Sequence, residues 1–317
     1  MALELQSSRI FKLSKTSLRV PAHGTATVDV TADTSSHTPE GPYGGWLIAL
    51  GNGTSVRTTI GVGVEVASYE QKIEMLDRSG KPGVNDENNV AAAYLLDVDH
   101  LQLYLMEAGG TVRLPHGRYL VDAFNAKSNP GGFGFDDVTY FGEPDLIVDH
   151  AGSIVLDGRE AHQVAIKAPV TDAAAAAGGV GFARPIGELT YIGGVGVNNS
   201  FEPGFSPAMY VVPNRTGSAK NFTGFAHLAW AGMPDGQSPD GDIYLDSPYL
   251  YHDVAVWPGR FPVKPSLITK PGDYAHLDAS YAGEPGTRAN NYGYPTLPKP
   301  DAGGHWVGLF CSPRRSR

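Results

Sequence analysis

The clearest pattern in the chain is a period-two alternation. Between Thr54 and Val66 the even positions from Val56 onward read Val56, Thr58, Ile60, Val62, Val64 and Val66. The odd positions read Arg57, Thr59, Gly61, Gly63 and Glu65. Strand side chains point to opposite faces in turn, so this run predicts a strand with Val56, Ile60, Val62 and Val64 on one buried face and Ser55 and Arg57 on the other. Ala26, Val28 and Val30 alternate with Thr27, Asp29 and Thr31, and Trp46, Ile48 and Leu50 alternate in the same way. Pro21–Gly24, Pro39–Gly45 and Gly51–Gly53 are the intervening turns, rich in the residues that turns need. Four strands in some 60 residues make part of an antiparallel sandwich, and an immunoglobulin-like sandwich needs about seven. Residues 1–66 are therefore expected to form an incomplete unit with an uncovered apolar flank.

Further along, Ala91–Met106 is rich in the helix formers Ala, Leu and Met. Yet Leu101, Leu103 and Leu105 alternate with Gln102, Tyr104 and Met106, which favours two strands with a turn near Asp97–His100. Thr111–Leu114 and Arg118–Phe124 flank Pro115-His116-Gly117 and are expected to form a hairpin. Leu146–Val148, Ser153–Leu156 and Gln163–Ala168 should complete a second unit over 67–168. Asp172–Gly179, with five alanines and two glycines, is expected to be a linker or a single helical turn. A third unit, 169–297, has expected strands at Leu189–Ile192, Ala208–Val212, Ala226–Ala231, Tyr249–Trp257 and Tyr274–Ala279. The tail, 298–317, is poorly patterned and expected to be irregular.

Composition agrees with many short strands. The 40 glycines and 24 prolines make up about a fifth of the chain, interleaved with apolar stretches and without a collagen period. Net charge is −9 with no basic stripe, so nucleic acid is not an expected partner. The single cysteine, Cys311, excludes an intrachain disulfide and a Cys-based metal site. No apolar run reaches the length of a membrane-spanning helix. Met1–Ile10 has neither a basic n-region nor a long apolar core, so it does not read as a signal peptide, and the chain as it stands is expected in the cytoplasm.

Several segments resemble a known family. His23-Gly24-Thr25, Asp33-Thr34-Ser35 and Gly53-Thr54-Ser55 look like the three catalytic motifs of subtilisin-like serine peptidases. In that family the order is Asp, His, Ser, and the serine lies well over a hundred residues after the histidine. Here His23 precedes Asp33, and Ser55 follows His23 by about thirty residues. The three also sit in a strand-and-turn pattern, whereas a triad needs a rigid meeting point. No catalytic residue and no peptidase activity is expected from them.

The non-catalytic likeness is broader. Val20–Thr34, Gly41–Trp46 and Ser55–Val62 resemble, in order, the end of a fibronectin type III-like domain that follows the catalytic domain in large secreted actinobacterial subtilases. Gly110–Tyr119 is similar to the next module there, a transthyretin-like or carboxypeptidase-regulatory-like sandwich. Ser247–His252 and Gly259–Pro262 look like a further β-domain. The resemblance covers about Phe11–Leu297. It implies an all-β chain of tandem antiparallel β-sandwiches. It also implies an accessory, non-enzymatic role in stability, orientation or binding, beside a peptidase domain and outside the cell. The alternative is an independent extracellular module that binds polysaccharide or protein.

Candidate chemistry is sparse. Asp235, Asp240, Asp242 and Asp246, with Gly236 and Gly241, form the best calcium candidate, because calcium takes several oxygen ligands from a Gly-containing loop. The EF-hand spacing is absent, and an acidic solvated turn is the other reading. No other cofactor is expected. Trp46, Trp230, Trp257 and Trp306 could serve as a sugar platform or as core. His252, among Tyr249, Leu250, Tyr251 and Val254, reads as a packed or hydrogen-bonded strand residue.

Overall fold

The computed structural model describes residues 1–35, 38–128, 135–197, 207–216, 220–232, 249–276, 296–297 and 305–306. Among them there is no α-helix; the structure is a set of mostly antiparallel sheets. The chain divides into two compact units, Met1–Ser68 and Tyr69–Arg317.

In the first unit, β1 (Ala2–Ser7), β4 (Gly41–Gly51) and β5 (Thr54–Val64) form a three-stranded antiparallel sheet in the order β1-β4-β5. Two short strands, β2 (Phe11–Leu13) and β3 (Val30–Ala32), pair with each other. The expected strand around Ala26–Val30 is thus confined to its last residues. The β4–β5 hairpin closes with a two-residue loop, Asn52 at φ 49° and Gly53 at φ 76°. Positive φ at both positions is the turn whose twist matches paired strands, and Asn-Gly supplies it at least steric cost.

The alternation of β5 is present, but the burial is not. Ile60, Val62 and Val64 are half-buried while Gly61 and Gly63 are exposed, and Val56, close to the hairpin tip, is 54% exposed. The expectation of a buried row is corrected accordingly. Among the described residues of this unit, Leu3, Phe11 and Ile48 are the buried apolar ones. A single three-stranded sheet has too little opposing surface to take its apolar face out of water.

The second unit holds β6 (Ser68–Leu76, beginning at the boundary), β7 (Asn89–Asp97), β8 (Leu103–Glu107), β9 (Thr111–Pro115), β10 (Gly117–Ser128), β11 (Phe135–Val148), β12 (Gly152–Asp157), β13 (His162–Gln163), β14 (Ala165–Lys167), β15 (Ala173–Ile186), β16 (Leu189–Val197), β17 (Ala208–Val212), β18 (Thr223–Gly232), β19 (Leu250–Pro258) and β20 (Ser266–Ile268). Thr296–Leu297 and His305–Trp306 form a further small pair. The expected break of Ala91–Met106 into two strands is seen as β7 and β8, joined by a turn in which Leu101 adopts φ 56°.

A six-stranded sheet in the order β13-β17-β11-β10-β7-β8 carries apolar clusters on both faces. On one face, Tyr119, Val121 and Ala123 of β10, with Ala93 and Leu95 of β7, meet Ile73 and Met75 of β6, Leu114 of β9 and Leu156 of β12. Those last three strands form the sheet β12-β6-β9. On the other face, Leu120 of β10, Tyr140 of β11 and Met209 and Val211 of β17 meet Val180 and Phe182 of β15 and Leu228 and Trp230 of β18. These belong to the sheet β16-β15-β18-β19. The six-stranded sheet is therefore the middle of three layers. That explains why Tyr119–Ala123 reads as an unbroken buried run and not as an alternation.

Two expectations give way here. Thr111–Leu114 and Arg118–Phe124 are not a hairpin: β9 pairs in an outer sheet and β10 in the middle one, so the chain changes layers at His116. The Tyr119 hydroxyl donates back to the Pro115 carbonyl at 2.9 Å and pins this corner. Asp172–Gly179 is neither linker nor helical turn. Its alanines and glycines open β15, which pairs with β18 from Ala173 to Ala183. Ala173 and Ala175 belong to the buried apolar cluster, and this tertiary context overrides the helical propensity of alanine.

Candidate functional site

One group of polar side chains in the second unit lies at the contact between the middle sheet and β15–β16. Asp122 lies on β10 in the buried run and is 5% exposed. Its Oδ1 accepts from the Tyr140 hydroxyl at 2.8 Å and its Oδ2 from the Tyr191 hydroxyl at 2.7 Å. Tyr140 is on β11 and Tyr191 on β16, so one carboxylate joins two sheets. Burial pushes the Asp122 carboxyl up from its ordinary range, opposed by the two tyrosines and the Gly194 N–H. Burial beside that carboxylate pushes both tyrosines up as well, Tyr140 well above its usual value. Gly193 has no room for a side chain, because a Cβ there would lie 1.9 Å from Asp122 Oδ2.

Next to this node, Tyr140 meets Phe261 edge-on at 5.9 Å, and Phe182 stacks on Phe222 at 5.0 Å. A Cβ at Gly142 would reach the Phe182 ring at 2.9 Å, so the glycine admits the ring.

Toward the end of β11, Glu143 accepts from the Arg215 and Thr216 N–H groups at 2.7 and 2.9 Å and from the Thr216 hydroxyl at 2.8 Å. Burial raises its pKa against these hydrogen bonds. Arg184, nearly buried, donates to the Pro144 carbonyl at 2.7 Å and to Asp145 at 2.5 Å, and Asn221 donates to the other Asp145 oxygen. Beside Glu143 is a shallow recess, open to solvent, whose cavity volume is only about 20 Å³, lined by Phe141, Gly142, Leu156, Asp157, Val212 and Arg215. Small-molecule sites are usually about 300–1,000 Å³ and enclosed. The recess also offers a carboxylate already engaged in three hydrogen bonds.

On the opposite face of β18 from the aromatic core, His227 and His252 lie on neighbouring strands with Nε2 and Nδ1 3.4 Å apart and rings nearly parallel. His227 is 5% exposed and its Nδ1 has no hydrogen-bond partner. Burial first, then the neighbouring imidazole, lowers its pKa to about 3. His252 is a half-buried strand residue, and its pKa is also lowered by burial.

Of the residues singled out from sequence, His23, Asp33 and Ser55 fall in three different local settings. His23 sits in an exposed turn at φ 58°, Asp33 follows β3 and caps the Ser35 N–H, and Ser55 is exposed on β5 opposite Leu50. Asp235, Asp240, Asp242 and Asp246 lie outside the described residues. Among the described residues, no group of three or more His, Cys, Asp or Glu is placed to hold a metal ion. Trp46 is 41% exposed, with the Arg57 guanidinium 5.3 Å from its ring centre. Trp230 is core, its indole N–H donating to buried Asp253 at 2.8 Å, and Trp257 packs against Phe261. The four tryptophans are thus not a set of equivalent surface rings, and the side chain of Trp306 is outside the description. Half-buried Tyr249, Tyr251 and Tyr274 do cluster, but with tilts of 50° and 49° between neighbouring rings.

Asp122 was legible only as a lone charge within the apolar run Tyr119–Phe124; nothing in the sequence pointed to Tyr140 and Tyr191 as its partners. No family of known proteins, no curated protein and no solved structure matches the chain. Among the described residues no helix is long and apolar enough to cross a membrane.

Proposed function

We propose that the chain is a non-catalytic accessory β-region of the kind that accompanies secreted subtilisin-like peptidases, serving stability, orientation or binding outside the cell. The observation that supports this reading is the commitment of two buried carboxylates, Asp122 and Asp253, and two half-buried ones, Glu143 and Asp145. Asp122, Glu143, Asp145 and Asp253 each accept hydrogen bonds from groups that join separate strands or loops. Such an arrangement locks layers together, whereas a catalytic acid or base needs an open approach for substrate. A polysaccharide- or protein-binding module is the second reading. The Tyr249–Tyr251–Tyr274 cluster is its best support, though the ring tilts suit it less than coplanar rings would.

The test has two arms. The purified chain should take no fluorophosphonate label, and labelling that disappears in Ser55→Ala would end the non-catalytic reading. Fused behind a subtilisin-type catalytic domain, the chain should lengthen that domain's half-life during heating. An unchanged half-life would end the accessory reading.

A further inference from the structure

The two edges of the sheet in Met1–Ser68 are treated differently. Along β1, Leu3 donates its N–H to the Thr16 carbonyl at 2.8 Å, Leu18 donates to the Met1 carbonyl at 2.9 Å, and Ala2 bridges to Ser17. That edge is covered by the chain itself. The other edge is β5, beside which no described strand is paired. Its first six residues, Thr54–Thr59, are all exposed.

Exposed edges normally carry lysines, prolines or bulges, or are kept short, because a free row of backbone groups recruits another strand. β5 has little of this protection. It runs for 11 residues, contains no proline, pairs with β4 without a bulge, and bears one charge, Arg57. That charge is drawn over the Trp46 ring.

The strand is also complementary to itself. Laid antiparallel against a second β5 with Thr59 on the two-fold axis, all 11 residues pair. Val56 then faces Val62 of the second copy, and Thr58 faces its Ile60. Arg57 faces a glycine, Gly61, so no like charge stands across from it. The apolar face of one sheet continues into the apolar face of the other. We propose that β5 pairs with β5 of a second copy of this chain, turning two three-stranded sheets into one six-stranded sheet. This goes beyond the accessory reading and does not rest on it.

Sedimentation of the full chain between about 1 and 200 µM tests the proposal, with dimerisation expected toward twice the 33.6 kDa chain mass. Thr59 is exposed, so charging it leaves the sheet of one copy intact, but across the axis it sets like charges directly opposite each other, which opposes pairing. Thr59→Lys and Thr59→Glu should each weaken dimerisation at least tenfold, and mixing the two in equal amounts should restore it. Thr59→Cys on a Cys311→Ser background should give a disulfide-linked dimer on mild oxidation. A wild-type chain that stays monomeric throughout, charged variants that dimerise as well as wild type, or a mixture no stronger than either variant alone would each overturn the proposal. A Thr59→Cys chain that forms no cross-linked dimer would overturn it as well.

Discussion

The two units solve the same problem with very different resources. Met1–Ser68 presents one three-stranded sheet and a pair of short strands, and most of its apolar face stays half in water. Tyr69–Arg317 stacks three sheets, so the middle one buries both faces, and residues such as Tyr119, Leu120 and Tyr140 reach full burial. Both contain long strands, 11 residues in β5 and 12 in β10. The difference shows that strand pattern does not itself confer a core; the number of layers does.

The contrast is sharpest in large-to-small substitutions. Phe182 is fully buried and touches Tyr140, Tyr191 and Phe222, so Phe182→Ala should cost about 3–5 kcal/mol in chemical denaturation. A loss below about 1 kcal/mol would mean that the ring cluster does not hold the layers together.

A pH experiment probes the second unit alone. His227 has a folded pKa of about 3, below the 6.5 of a free imidazole. The unfolded chain therefore takes up a proton that the folded chain refuses, and stability falls as pH drops below about 6.5. From pH 7 to 4 this amounts to about 3 kcal/mol. Asp122 acts with the opposite sign, since its raised pKa makes the folded state less penalised as pH falls. The comparison must therefore be wild type against His227→Gln. The variant should show a shallower acid-side decline in thermal midpoint, the remainder including the same-sign contribution of His252, and parallel curves for the two proteins would refute the assignment to His227.

The smallest effect is expected in the first unit. Ile60 is half-buried, so Ile60→Ala should cost about 1 kcal/mol, well under the 2–5 kcal/mol of a fully buried isoleucine. A measured loss above about 3 kcal/mol would show that this face is covered, and would erase the distinction between the units.

Much of the strand content was legible in the sequence because period-two alternation has a direct geometric cause. The turn between β7 and β8, and β17 at Ala208–Val212, fall where the pattern put them. What the pattern lacks is any label for which sheet a strand joins. Thr111–Leu114 and Arg118–Phe124 have the spacing of a hairpin, yet the single residue between β9 and β10, His116, carries the chain from an outer layer to the middle one. Ala173–Ala177 misled in the other direction, because alanine's helical preference says nothing about a place in a paired sheet. The polar nodes were hidden for a related reason: Asp122, Tyr140 and Tyr191 are separated by up to 69 residues in the chain. The pairing of His227 with His252 depends on the β18–β19 register, which no local pattern states.

The place of β17 in the middle sheet sets an order of events during synthesis. It lies parallel to β11, from Asp137↔Ala208 to Phe141↔Val212, and β13 pairs on its far side. Until Val212 has left the ribosome, β11 is an open edge with no neighbour on that side, and one apolar face of β10 and β11 awaits β15 and β18. A chain that must wait for a distant parallel strand folds slowly and is exposed to wrong partners meanwhile. Nascent chains halted shortly before Ala208 should therefore be more protease-sensitive across β10–β11 than chains halted after Gly232.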